Sequence, residues 1–141
     1  MKRIKTVGLV LLMTALLLSA CGGFSFVVTT TGKKVTVEAK GPKEGDFVDS
    51  EPVTIGRGRV AAIESSLDKG QMKIEFVEVT VFESDDVDEP DTVIEGDVAY
   101  TVTVSASDKQ TLELEEGEYI IRCTAEGSPN GKGEIRFEKQ E

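Results

Sequence analysis

Alternation of apolar and polar side chains at a period of two is the feature that most restricts this chain. Between residues 71 and 82, Met72, Ile74 and Phe76 share one parity and Val77, Val79 and Val81 share the other. Between residues 98 and 105, Val98, Tyr100, Val102 and Val104 stand on one side, with Thr101, Thr103 and Ser105 opposite. A period of two is the pattern of a half-buried strand, and threonine at the outward positions suits the pleat. A strand with one buried face does not change parity without cause. The spacing therefore predicts a bulge or a change of sheet at Phe76-Val77-Glu78. Beyond the first 20 residues no helical period is sustained, and residues 60–67 are its only weak competitor.

Turn chemistry divides the rest into short strands. Thr29 to Lys34 reads as a turn, followed by a strand with Val35, Val37 and Ala39 on its inner face. Residues 40–51, rich in Gly, Pro and acid, read as a loop. Pro52 to Ile55 starts a strand, Gly56-Arg57-Gly58 predicts a bulge or bend, and residues 59–65 continue that strand. Asp68-Lys69-Gly70 and Gly127-Ser128-Pro129-Asn130-Gly131 read as turns. Between them, Leu112 and Leu114 alternate with glutamates, and residues 119–123 form a strand. Ile135 and Phe137 mark the last one. Short strands at this spacing predict an all-β fold, an antiparallel β-sandwich of about seven to nine strands.

The first residues have another purpose. Lys2, Arg3 and Lys5 precede an apolar run from Val7 to Leu18, which closes on Leu18-Ser19-Ala20-Cys21. The run is shorter than the ~20 apolar residues that a membrane span requires. Charge, apolar run and small residues stand in the order of a secretory signal. The tetrapeptide resembles the lipobox of bacterial lipoproteins, in which the chain is cut before the Cys and its thiol carries a lipid. The resemblance implies a signal helix over 1–20 that is removed, lipidation at Cys21, a short tether over 21–23, and a β-sandwich domain over 24–141. It also implies a place on the extracytoplasmic face of a bacterial cell membrane, with the membrane as a partner through the anchor. Two or more acyl chains, at about 0.8 kcal/mol per buried CH₂, make such anchoring stable.

A second resemblance concerns Leu114 to Ile121. Gly117-Glu118-Tyr119 is similar to the Gly-x-Tyr strand entry of immunoglobulin-like sandwiches, where the Tyr hydroxyl bonds back to the preceding connection. Immunoglobulin domains place a Cys two residues after that Tyr. Here Cys123 follows by four, with no Trp in the chain. The implied architecture is a sandwich of immunoglobulin-like or jelly-roll-like type, and fold alone assigns no activity.

Taking 20 from 141 residues leaves 121, enough for one domain with its own core. With Cys21 lipidated, Cys123 has no partner for a disulfide. Its parity with Tyr119 and Ile121 puts it on a buried face, where a free Cys behaves as a small hydrophobe. Three of the 16 basic residues fall in the first 20, leaving 13 against 26 acidic side chains. Such a surface repels nucleic acid, so no nucleic-acid partner is expected.

There is no His in the chain. The usual general base near neutral pH and Ser–His or Cys–His pairs are therefore excluded. No phosphate loop, nucleophile elbow or dinucleotide fingerprint appears, so neither catalysis nor a nucleotide or other cofactor is expected. The acidic run 83–91 offers hard oxygen ligands suited to calcium. It lacks the Gly and terminal Glu spacing of an EF-hand loop, and the favoured alternative is a solvated loop between strands. Both Tyr residues are expected to face inward, leaving Phe24 and Phe26 as exposed aromatics beside the anchor. The expected role is a non-enzymatic binding or envelope-associated module with a protein or envelope partner, an exposed strand edge being one place such a partner can bind. A spacer domain without a specific ligand is the alternative, and calcium binding through residues 83–91 a weaker one.

Overall fold

A computed structural model describes residues 25–140. The expectations for residues 1–20, Cys21, the 21–23 tether and Phe24 lie outside the described residues. Within them the fold is all-β: β1 Ser25–Thr30, β2 Lys34–Lys40, β3 Phe47–Asp49, β4 Val53–Ile55, β5 Arg59–Phe82, β6 Thr92–Ser105, β7 Lys109–Glu113 and β8 Gly117–Lys139. All pairings are antiparallel, and the strands form one sheet in the order β1-β2-β8-β5-β6. β3 and β4 join β8, and β7 joins β5.

Four chain segments cross this sheet, and each breaks at the same level. β2 gives way to β3 around Gly41 and Gly45, both with positive φ. β5 slips register between Leu67 and Gln71 at Gly70 (φ 76°). β6 gives way to β7 at Ala106 (φ 46°), where Ser65 and Asp108 exchange hydrogen bonds. β8 bends through Gly127, Ser128, Pro129 and Gly131, all but the proline at positive φ. An ideal Cβ on Gly70 would sit 2.6 Å from Pro129 Cα, so the two bent strands touch backbone to backbone here. These breaks line up as a crease that folds one sheet into two layers.

Chain length shows that the fold is closed. Ile55 pairs with Gly117 at one end of β8, and Arg59 pairs with Lys139 at the other. Four residues span at most about 14 Å, whereas β8 drawn out over its 23 residues would run to about 75 Å. Gly56-Arg57-Gly58 can join the two only if β8 doubles back on itself. Leu114 N–H donates to the Arg59 carbonyl at 3.2 Å and Gln140 N–H to that of Gly58 at 2.9 Å, fastening the open end.

The core fills the space between the layers. Val35, Val37, Ala61, Ile63 and Ile135 come from one layer, and Met72, Ile74, Phe76, Ile121 and Cys123 from the other. Each buried aliphatic or aromatic side chain of this size stabilises the fold by about 1.5–3 kcal/mol. The parity argument holds for Val35, Val37 and Ala39, for Met72, Ile74 and Phe76, and for Cys123.

Several expectations change. The clusters at 68–70 and 127–131 do not reverse the chain; β5 and β8 run on through them, because their neighbours keep pairing on both sides. Ile135 and Phe137 therefore belong to the same strand as Tyr119. Gly56-Arg57-Gly58 is a crossing between layers, since β4 and β5 each pair with β8 and not with each other. Within 40–51, residues 47–49 form β3 against β8. Phe26 is not exposed: β1 pairs along β2 and turns it into the core.

Candidate functional site

The parity change in β5 is where the molecule acquires its most distinctive element. Phe76 pairs with Tyr100, Val77 with Val98 and Val79 with Glu95. Each step leaves one extra residue on β6, so the expected irregularity exists and the additional residues lie on the partner strand. Bulges increase local twist and re-aim a strand. Val98 is thereby turned to the face opposite Tyr100, Val102 and Val104, and is 46% exposed.

Beyond the bulge the ribbon leaves the body. The pairing of β8 with β5 ends at Glu78 and Tyr119. β5 and β6 continue as a pair through Val79–Glu95, Thr80–Ile94, Val81–Val93 and Phe82–Thr92. This two-stranded arm carries residues 83–91 at its tip. Among the described residues, four of the six exposed large apolar side chains lie on it, Phe82, Val87, Val93 and Ile94, between 38% and 95% exposed, and a fifth, Val98, stands at its base. Exposed apolar side chains gathered in this way mark interaction surfaces.

Side chains at the base fix the arm's direction. Arg122 on β8 donates through Nε to Asp49 Oδ1 at 2.7 Å and through Nη2 to Asp49 Oδ2 at 3.0 Å. The same Nη2 reaches Glu95 on β6 at 2.8 Å. The guanidinium also lies 5.1 Å from the centre of the Phe47 ring. The planar fork grips Asp49 bidentately while its Nη2 also reaches Glu95 and its face lies toward the Phe47 ring, a geometry an ammonium does not supply. The hydrogen bonds that Arg122 donates to Asp49, then to Glu95, hold it protonated even more firmly than usual.

On the other face, Tyr119 Oη donates to the Glu115 carbonyl at 2.7 Å, and Glu115 N–H donates to Tyr100 Oη at 3.0 Å. The backbone of Glu115 is thus held by both tyrosines. With Phe76 the two rings form a triangle with centroid distances of 5.9–6.3 Å. The hydroxyl bond expected of Tyr119 is present, and both Tyr side chains face inward, as the strand patterns predict. Burial, helped by the neighbouring Tyr100 and Glu78, pushes the Tyr119 hydroxyl up to about 12.

A groove of about 290 Å³ lies between arm and body. Glu78 and Glu95 line it from the arm, and Glu115, Glu116 and Glu118 from the turn into β8. Glu116 pairs with Arg57 at 3.6 Å and Glu118 accepts from Thr54 at 3.3 Å. Among the described residues no group of three or more acidic or Cys side chains is arranged to hold a metal ion. Several tip carboxylates serve the loop itself: Asp91 accepts from Ser84 N–H at 3.0 Å and Asp86 from Asp88 N–H at 3.0 Å.

The structure brings the sequence candidates to very different places. Residues 83–91 occupy the arm tip. Cys123 is fully buried, and burial pushes its thiol up to about 12, so it is a core side chain and not a nucleophile. Cys21 lies outside the described residues. Sequence reasoning passed over the arm, although one signal was available: no Lys or Arg occurs between Lys73 and Lys109.

The arm and the crease lie at opposite ends. Ser25, where β1 begins, pairs with Lys40, which pairs with Asn130 in the crease. β5 runs from the crease at Gln71 to Phe82, about 36 Å at the rise of a strand. Comparison with known protein families, with curated proteins and with solved structures finds no match to this chain.

Proposed function

We propose that this chain is a non-enzymatic binding module of a bacterial cell envelope, held on the extracytoplasmic face of a membrane by lipid on Cys21, with the arm as its contacting element. The observation that carries the reading is the arm itself. It holds four of the six exposed large apolar side chains of the described residues, at the end of the molecule farthest from the start of β1. Three residues separate Cys21 from Ser25, and the four steps between them reach at most about 14 Å. An anchor there would turn the crease toward the bilayer and the arm away from it. A spacer without a ligand has no use for apolar side chains in water.

Metabolic labelling with palmitate and membrane fractionation test the anchor. The wild-type chain should take up label and sediment with membranes, and Cys21→Ala should do neither. A labelled, membrane-bound Cys21→Ala would overturn the assignment. A photo-crosslinking residue at position 94 tests the binding role. A discrete adduct from position 94, absent when the crosslinker stands at position 38 on β2, supports it; no adduct from either position leaves the spacer role.

A further inference from the structure

We propose that the outer edge of β6 on the arm accepts an extended, Lys- or Arg-bearing segment of a partner polypeptide as an added strand. The inference deepens the binding-module reading and rests on it. β6 ends the sheet, with β5 as its neighbour on one side and no strand paired on the other among the described residues. Proteins usually blunt such an edge with lysine or proline or cover it. Thr92-Val93-Ile94-Glu95 carries neither lysine nor proline, and its apolar side chains are exposed. A strand laid along this edge would obtain main-chain hydrogen bonds, and alternate side chains would meet the apolar positions of the arm.

Charge decides the occupant. Residues 77–98 contain nine carboxylates and no Lys or Arg. Arg122 at the base is already shared between Asp49 and Glu95. A second copy of this chain would bring another nine carboxylates against the first, and like charges facing each other oppose association. A basic segment meets the opposite sign on both sides of the edge and is steered toward it. The groove between arm and body adds Glu115, Glu116 and Glu118 to the same field.

The full chain in neutral detergent, titrated with a fluorescent peptide, tests this. The probe is an alternating Lys–Val peptide of about eight residues, the length of a short strand. One control is the matching Lys–Pro peptide, which has the charge but lacks half the donors a ladder needs; another is the Glu–Val peptide. The Lys–Val peptide should bind, and the Lys–Pro and Glu–Val peptides should bind about tenfold more weakly or less. Asp97→Lys and Ile94→Ser should each weaken Lys–Val binding about tenfold, while Glu38→Lys on β2, with the same charge change as Asp97→Lys, should alter it less than about twofold.

Four results would overturn the proposal. They are equal binding of Lys–Pro, equal loss from Glu38→Lys and Asp97→Lys, no binding of Lys–Val, and concentration-dependent self-association abolished by Ile94→Ser. None of them touches the palmitate labelling of Cys21 or the crosslink from position 94. Failure of strand addition is thereby distinguished from failure of the binding-module reading.

Discussion

Tyr119 and Cys123 stand two turns of the pleat apart on one inner face, and both are harder to ionise than usual. Cys123 moves from 9.0 to about 12 and Tyr119 from 10.0 to about 12, in each case chiefly because burial disfavours the charged form. The native state therefore holds these protons more tightly than the unfolded chain. Their contribution to stability is complete below about pH 9 and is lost as pH rises from there toward 12, by up to about 1.4 kcal/mol per pH unit for each group. Urea titrations across this range should show that decline, and Cys123→Ala should flatten its lower part. At neutral pH, Tyr119→Phe removes the bond to the Glu115 carbonyl and should cost about 1 kcal/mol in the same titration. The strand patterns made Tyr119, Cys123 and their buried face legible, because parity alone sorts a strand's side chains. They could not reveal that Tyr100 accepts from the same residue that Tyr119 donates to, since that depends on β6 and the turn into β8 meeting in space.

The crease is the element on which the architecture turns. Gly131 has φ 144°, and a Cβ there would run into the Ser66 carbonyl and lie 2.8 Å from Leu67 Cα. Because β2 and β5 hold Gly131 from both sides, nothing can give way. Gly131→Ala should destabilise by several kcal/mol or prevent folding, whereas Gly32→Ala, with open space around it, should shift the urea midpoint by less than about 0.5 kcal/mol. The arm is the opposite kind of element. Its strands 79–82 and 92–95 bury little apolar surface, so their amides should exchange with deuterium well before those of β5 and β8 at Met72–Phe76 and Ile121–Ala125. Equal protection of the two regions would mean that the arm is packed against something.

On the scale of the whole molecule, charge opposes the compact state. The chain carries 16 basic and 26 acidic side chains, and the crowding is greatest on the arm. Self-repulsion of this kind is screened by salt, with a Debye length near 30 Å at 0.01 M and near 3 Å at 1 M. The thermal midpoint should therefore rise as sodium chloride is added across that range. A falling midpoint would indicate that pairs such as Arg122 with Asp49 and Glu95 outweigh the repulsion.

Composition and periodicity by themselves determined that this chain is antiparallel β, that Val35, Val37, Ala39, Met72, Ile74 and Phe76 face the core, that β5 changes face after Phe76, and that Cys123 is buried. They missed Phe26, which β1 turns inward, and Val98, which the bulge turns out. What they determined are local properties: a pleat alternates whatever lies beside it. Tertiary structure alone decided which glycine-rich clusters reverse the chain and which fold the sheet. Gly70 and Gly127 adopt the positive φ that a tight turn would need. Yet β5 and β8 carry on, because partner strands continue to pair past the bend. Tertiary structure also decided that β8, last in the chain, lies between β2 and β5, and that β5 and β6 outrun it to form the arm. The physical reason is that backbone preference acts within a few residues. Whether a strand ends or bends depends on hydrogen bonds from partners dozens of residues away.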